Sequence, residues 1–171
     1  MLNPATIIER AKISSLYRSI LNWSVDRMVP FNKPHGFKIL EFGDDFITTR
    51  IPYQKRNFNH IRGLHACALA TLSEFTTGFL LLQKLDISKY RLIMKRLEMD
   101  YHYQGKMDAT AKFRISNDWI DEKIVNPLLH DEAVVVICEV KIHDRAGNHL
   151  TTGQVHWQIK NWEKVKTKIV S

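Results

Sequence analysis

Between His65 and Lys84 the chain runs through Ala-Cys-Ala-Leu-Ala-Thr-Leu-Ser-Glu-Phe-Thr-Thr-Gly-Phe-Leu-Leu-Leu-Gln, and Glu74 is the one charge among them. A helix that is apolar on every side belongs inside a domain, so the rest of the fold must supply cover around it. A carboxylate in that position has to be paired, hydrogen-bonded or shifted toward its neutral form, because desolvating an isolated charge is very costly. Glu74 is therefore the leading candidate for chemistry in this sequence.

A chain of 171 residues suits one domain, residues 1–171, with a core of ordinary size. The net charge of +7 favours anionic partners. The basic residues are scattered up to the run Lys164–Lys168, the pattern of a solvated surface rather than of a nucleic-acid footprint. Cys67 and Cys138 lie in apolar runs and read as reduced core cysteines of a cytoplasmic protein, without metal-ligand spacing. The amino terminus lacks the pattern of a secretory signal. The run from Leu64 to Leu82 approaches the length of a membrane span. Glu74, Ser73, Thr71, Thr76 and Thr77 argue against stable membrane insertion.

Along the chain, residues 4–28 have helical periodicity, with Asn3 as a cap and Pro4 in the first turn. Ile13, Leu16, Tyr17, Ile20, Leu21 and Met28 fall near one stripe, suited to docking on the domain. Residues 37–42 and 46–53 read as strands joined at Gly43-Asp44-Asp45. After the apolar helix come strands over 90–103 and 107–115, with Gln104-Gly105-Lys106 as a hairpin turn between them. The first places Ile93, Leu97, Met99, Tyr101 and Tyr103 on one face, a packing pattern. A helical turn at 119–125 precedes a strand over 133–143, whose Val-Val-Val-Ile-Cys run suggests cover on both faces. A last hairpin leads to a strand over 149–162. The expected fold class is α+β: about six antiparallel strands around one long apolar helix, with an extra helix over residues 1–30.

Asn59-x-x-x-Gly63-x-His65 leading into an apolar helix with Glu74 inside it resembles the hotdog-fold thioesterases. It is most similar to the branch of phenylacetyl-CoA thioesterase-like proteins and their uncharacterised relatives. The resemblance covers residues 35–162. Ala66 and Cys67 stand where that branch has two glycines after the histidine, and its catalytic carboxylate falls on Glu74. The resemblance implies an acyl-CoA substrate, a coenzyme A thioester with no further cofactor, and a homodimer or dimer of dimers with sites built from both protomers. Spacing agrees with the last point. Nine helical residues rise about 13.5 Å and turn about 900°, so His65 and Glu74 lie on opposite sides of a regular helix. Each would face its counterpart across a two-fold axis.

For thioester hydrolysis, the free amides near His65 and Ala66 are the candidate oxyanion donors. Glu74 is the candidate base on water, or the nucleophile. Asn59 would orient the water or the carbonyl, Gly63 would let substrate approach, and Thr77 would hydrogen-bond the carboxylate or the water. Small neighbours of Glu74 (Ala70, Thr71, Thr77, Gly78) leave a slot for a thioester or for a packed helix. Lys55, Arg56 and Arg62 are first choices for the phosphates of coenzyme A, with Arg91, Lys95 and Lys106 behind them. The plain alternatives are a buried hydrogen-bond network for Glu74, a packed histidine at 65 and a turn role for Asn59. Competing functions are a non-catalytic acyl-CoA-binding protein, a hydratase or dehydratase on the same fold, and a basic RNA-binding module.

Overall fold

The computed structural model describes residues 4–166, so the expected cap at Asn3 and the end of the lysine run at Lys168 lie outside the described residues. The amino-terminal segment forms two helices, α1 (Pro4–Ile13) and α2 (Ser15–Met28), where a single helix was expected. The break is at Ser14, whose backbone is extended (φ −116°, ψ 123°). Serine competes poorly for helix interiors, and the Arg18 guanidinium ties the joint by donating to the Ala11 carbonyl at 2.9 Å.

The sheet has six strands: β1 (Lys38–Phe42), β2 (Phe46–Ile51), β3 (Tyr90–Tyr101), β4 (Ala109–Arg114), β5 (Ala133–Asp144) and β6 (His149–Asn161). All neighbours are antiparallel, in the order β1-β2-β4-β5-β6-β3. The long helix α3 (Ala66–Lys84) lies across one face and contacts β2 through β6. Its buried residues include Leu72, Leu80 and Leu81, set among Ile47, Ile51, Ala111, Val155 and Ile159. A long apolar helix held in a curved antiparallel sheet is the hotdog arrangement.

Strand order corrects the expected hairpin at residues 104–106. β3 pairs with β6, not with β4, so the chain crosses over after Tyr101. Gly105 serves a close approach instead. A Cβ there would lie 2.8 Å from Leu150 Cδ1 and 3.2 Å from Leu64 Cδ1. The 144–148 turn is the hairpin expected, closed by amides of Ala146 and Asn148 on the Asp144 carboxylate. β5 is central in order but covered on one face only. Val135 and Ile137 are exposed while Val134, Val136 and Cys138 are buried, so its apolar run is not a sign of two-sided cover.

Three hydroxyls make α3 compatible with burial. Ser73, Thr76 and Thr77 return hydrogen bonds to the carbonyls of Leu69, Leu72 and Ser73, a local pairing open to short hydroxylated side chains. Thr76 also meets Thr49 of β2 at 2.6 Å, and Thr77 accepts from the Trp157 indole of β6 at 3.0 Å. At the carboxyl end, Lys84 binds Asp45 and Asn117 at 2.7 and 2.6 Å, a cation where the helix dipole favours one. β4 and β5 pair only near residues 109–112 and 141–144. Beyond that the short helix α4 (Asn117–Ile120) and a π-helical turn (Asp121–Val125) bury Ile120 and Ile124.

Candidate active site

The loop from Pro52 to His65 positions the amino end of α3. Its anchor is Asn57, 1% exposed, which sequence reasoning missed. The Asn57 side-chain amide donates to the His35 and Pro52 carbonyls, both at 2.9 Å, and its oxygen pairs with the His35 ring at 3.0 Å. Its backbone carbonyl accepts from the His65 amide at 2.8 Å. Asn59 builds the next turn. Its side-chain oxygen accepts from the amides of Ile61 (3.1 Å) and Gly63 (2.8 Å), which leaves its NH2 as the group free to donate. Arg62 sits at φ +61°, the left-handed region, held there by this turn and by the Tyr53 hydroxyl on its carbonyl at 2.6 Å. Gln104 lies over Gly63, where a Cβ would fall 2.8 Å from Gln104 Cγ and force that exposed side chain to move. The Leu64 amide then donates to the Gly105 carbonyl.

His65 is the N-cap of α3, with its Nδ1 accepting from the Cys67 amide at 3.1 Å. Since its own amide is bound to Asn57, the His65 N–H is unavailable as an oxyanion donor. The Ala66 amide has no partner among the described residues and is exposed. It points along the positive end of the helix dipole and can receive a developing negative charge. The Tyr101 hydroxyl donates to the Ala66 carbonyl at 3.0 Å. Tyr101 and Tyr103 are 49% and 58% exposed, against the core packing read from their parity. β3 is an edge strand, and this end of it has no second layer in one chain. Cys67 is exposed as well, in contrast to Cys138, whose burial pushes its thiol up to about 12.

Glu74 is partly buried, two and a half turns into the helix, and no hydrogen bond or ion pair reaches its carboxylate among the described residues. Burial raises its pKa above the ordinary carboxylate range. The alternative of a buried hydrogen-bond network therefore does not describe this carboxylate. Thr77, expected to approach it, is fully buried and commits its hydroxyl to Trp157 and to the helix backbone. The slot expected at Gly78 is filled by the same indole: a Cβ on Gly78 would lie 2.7 Å from Trp157 Cζ2. Lys55, Arg56 and Arg62 are exposed around the leading loop. Tyr103, Gln104, Lys106, Met107, Asp144 and Asn148 line a groove of about 280 Å³, and Gln104 is the residue that packs on Gly63.

The long apolar helix α3 on this six-stranded antiparallel sheet defines a hotdog-fold chain. The same fold is found in solved structures of low identity. A Pseudomonas aeruginosa protein of unknown function, named as a probable thioesterase, superposes with a TM-score of 0.77 at 20% identity, over 84% of this chain and 95% of that one. A Haemophilus influenzae thioesterase gives 0.63 at 14%, over 80% and 88%. A Staphylococcus aureus thioesterase carrying a glutamine-to-alanine replacement gives 0.62 at 15%, over 77% and 98%. The chain belongs to the family described as a domain of unknown function (DUF4442), which matches residues 18–159. No curated protein matches it.

Proposed function

We propose that the protein is a cytoplasmic thioester hydrolase acting on acyl-CoA, working as a homodimer with two equivalent sites. The carrying observation is Glu74: a carboxylate of raised pKa with no partner among the described residues, in the helix whose first amide is also unpaired among them. A second observation supports the pair of residues. The Staphylococcus aureus relative has been solved with a glutamine replaced and with a glutamate fifteen positions later replaced. Asn59 and Glu74 have the same separation.

In this reading Glu74 takes a proton from water as the water oxygen attacks the thioester carbonyl. The carbonyl oxygen becomes an oxyanion held by the Ala66 N–H, with the Asn59 NH2 orienting water or substrate. Collapse of the tetrahedral intermediate breaks the C–S bond, and the departing thiolate takes the proton back from Glu74. His65 acts through the loop, as the cap that fixes the Ala66 peptide. Tyr101 supports the same peptide from β3. Lys55, Arg56 and Arg62 take the phosphates, with Lys106 of the adjoining groove as a further partner.

The shape of β3 supports the dimer. β3 offers a twelve-residue edge, with Ile93 and Met94 exposed along it. Pairing of this edge with its counterpart would cover those residues and the bare end of α3, and carry Glu74 of one copy toward the Ala66 amide of the other. The test is thiol release from short, long and aromatic acyl-CoA thioesters with the wild type and Glu74→Ala. Turnover lost in the variant is the expected result. Turnover unchanged removes Glu74 from the chemistry, and binding without turnover in the wild type favours an acyl-CoA-binding protein.

A further inference from the structure

α2 turns Leu21 and Val25 into the domain, yet its opposite side is apolar too. Leu16 and Trp23 are 67% and 59% exposed, and Met28 and Phe31 beyond them are 79% and 69% exposed. At helical spacing Leu16, Ile20, Trp23 and Arg27 form one stripe. The Arg27 guanidinium lies over the Trp23 ring, 4.8 Å from its centroid. The surroundings are basic. Lys12 is paired with Glu9 and Asp44 at 2.7 and 2.6 Å and Lys38 with Asp26 at 2.9 Å, while Arg10, Arg18, Arg27 and Lys33 have no acidic partner among the described residues.

The patch also has a defined place. α1 and α2 pack on β1, which is one edge of the sheet, while β3 is the other. Pairing of two copies through β3 leaves the patch uncovered. An antiparallel pair of strands has its two-fold normal to the sheet, so both patches of such a dimer face the same side. Self-association through the patch would bring two basic rims together, which like-charge repulsion opposes.

We infer that the outer face of α2 and the turn after it form a docking surface for an anionic lipid bilayer. Leu16, Trp23, Met28 and Phe31 enter the boundary between headgroups and acyl chains, and Arg27 and Lys33 meet lipid phosphates. This is reversible surface binding, and only its bivalency rests on the dimer proposed above. The test is flotation of the full chain with vesicles of phosphatidylcholine, alone or with about 30% phosphatidylglycerol. Binding to the anionic vesicles that weakens by about tenfold in Trp23→Ser/Phe31→Ser, and fades with salt, is the expected result. Equal, negligible flotation with both vesicles overturns the proposal, as does binding indifferent to the double variant. A larger wild-type assembly that the double variant splits would also overturn it, in favour of a second copy. Thiol release from soluble acyl-CoA is unchanged by these surface variants, so failure here is distinguishable from failure of the hydrolase reading.

Discussion

Gly78 allows two opposing effects to be weighed in one substitution. Replacing glycine by alanine inside a helix is worth about 1 kcal/mol in favour of folding. In α3 the new methyl would sit 2.7 Å from Trp157 Cζ2 and 2.8 Å from Cη2. The indole cannot swing aside freely, because its N–H is tied to the buried Thr77 hydroxyl at 3.0 Å. Overpacking of this kind costs about 1–3 kcal/mol, which at least cancels the gain, so Gly78→Ala is expected to destabilise by about 0–2 kcal/mol net. For a chain of this size that lowers Tm by up to about 8 °C, measured at matched protein concentration. The control is the same change in a Trp157→Phe background. Phenylalanine lacks the two carbons that collide, and Thr77 still bonds the Ser73 carbonyl. There Gly78→Ala should stabilise by about 0.5–1 kcal/mol. Thermal and urea unfolding of the four proteins gives the coupling directly. An alanine that stabilises both backgrounds equally would refute the claim that Trp157 presses on this turn of α3, the turn after Glu74.

Asn57→Ala leaves the His35 and Pro52 carbonyls and the His35 ring without their buried partner; urea unfolding should show a loss of about 2–4 kcal/mol. Because burial raises the Glu74 pKa, the folded state resists its ionisation. The resulting penalty is absent below the unfolded value near 4.5 and fully present above the folded pKa. Glu74→Gln should thus be more stable than wild type at pH 8, with the difference vanishing toward pH 4, and a pH-independent difference would contradict this. Thiol titration should find Cys138, with its thiol pushed up to about 12, reactive only on unfolding.

The apolar run around Glu74 was enough to read α3 and its central position, since no surface helix has that composition. Alternation along 109–114 and 149–161 was legible for the same reason, a single covered face. What escaped the sequence depended on partners distant along the chain. Gln104-Gly105-Lys106 has the composition of a hairpin turn, and only the pairing of β3 with β6 shows Gly105 to be a close approach to Leu64 and Leu150. The exposure of Tyr101, Tyr103 and Cys67 reflects an edge that one chain does not cover. Glu74 and the Asn59–Gly63–His65 spacing stood out in sequence. Asn57 did not: an asparagine in a polar loop carries no periodic signal, and its importance lies in His35 and Pro52. Asn59 and His65 turned out to use part of their hydrogen-bonding capacity on the loop itself.

The central claim is that the Glu74 carboxylate of one chain and the Ala66 amide of another make one hydrolytic site. Ala66→Pro removes that amide at the first helical position, where proline is tolerated, after a residue already in the extended region (His65 φ −68°, ψ 136°). Ala66→Pro and Glu74→Ala, each inactive alone, would be unfolded, refolded together in equal amounts and assayed for thiol release from an acyl-CoA. Half of the dimers would be mixed, each with one intact site, so the account predicts recovery of about a quarter of wild-type activity. Mixed dimers that form but remain inactive, beside a wild type that hydrolyses the same thioester, would contradict it.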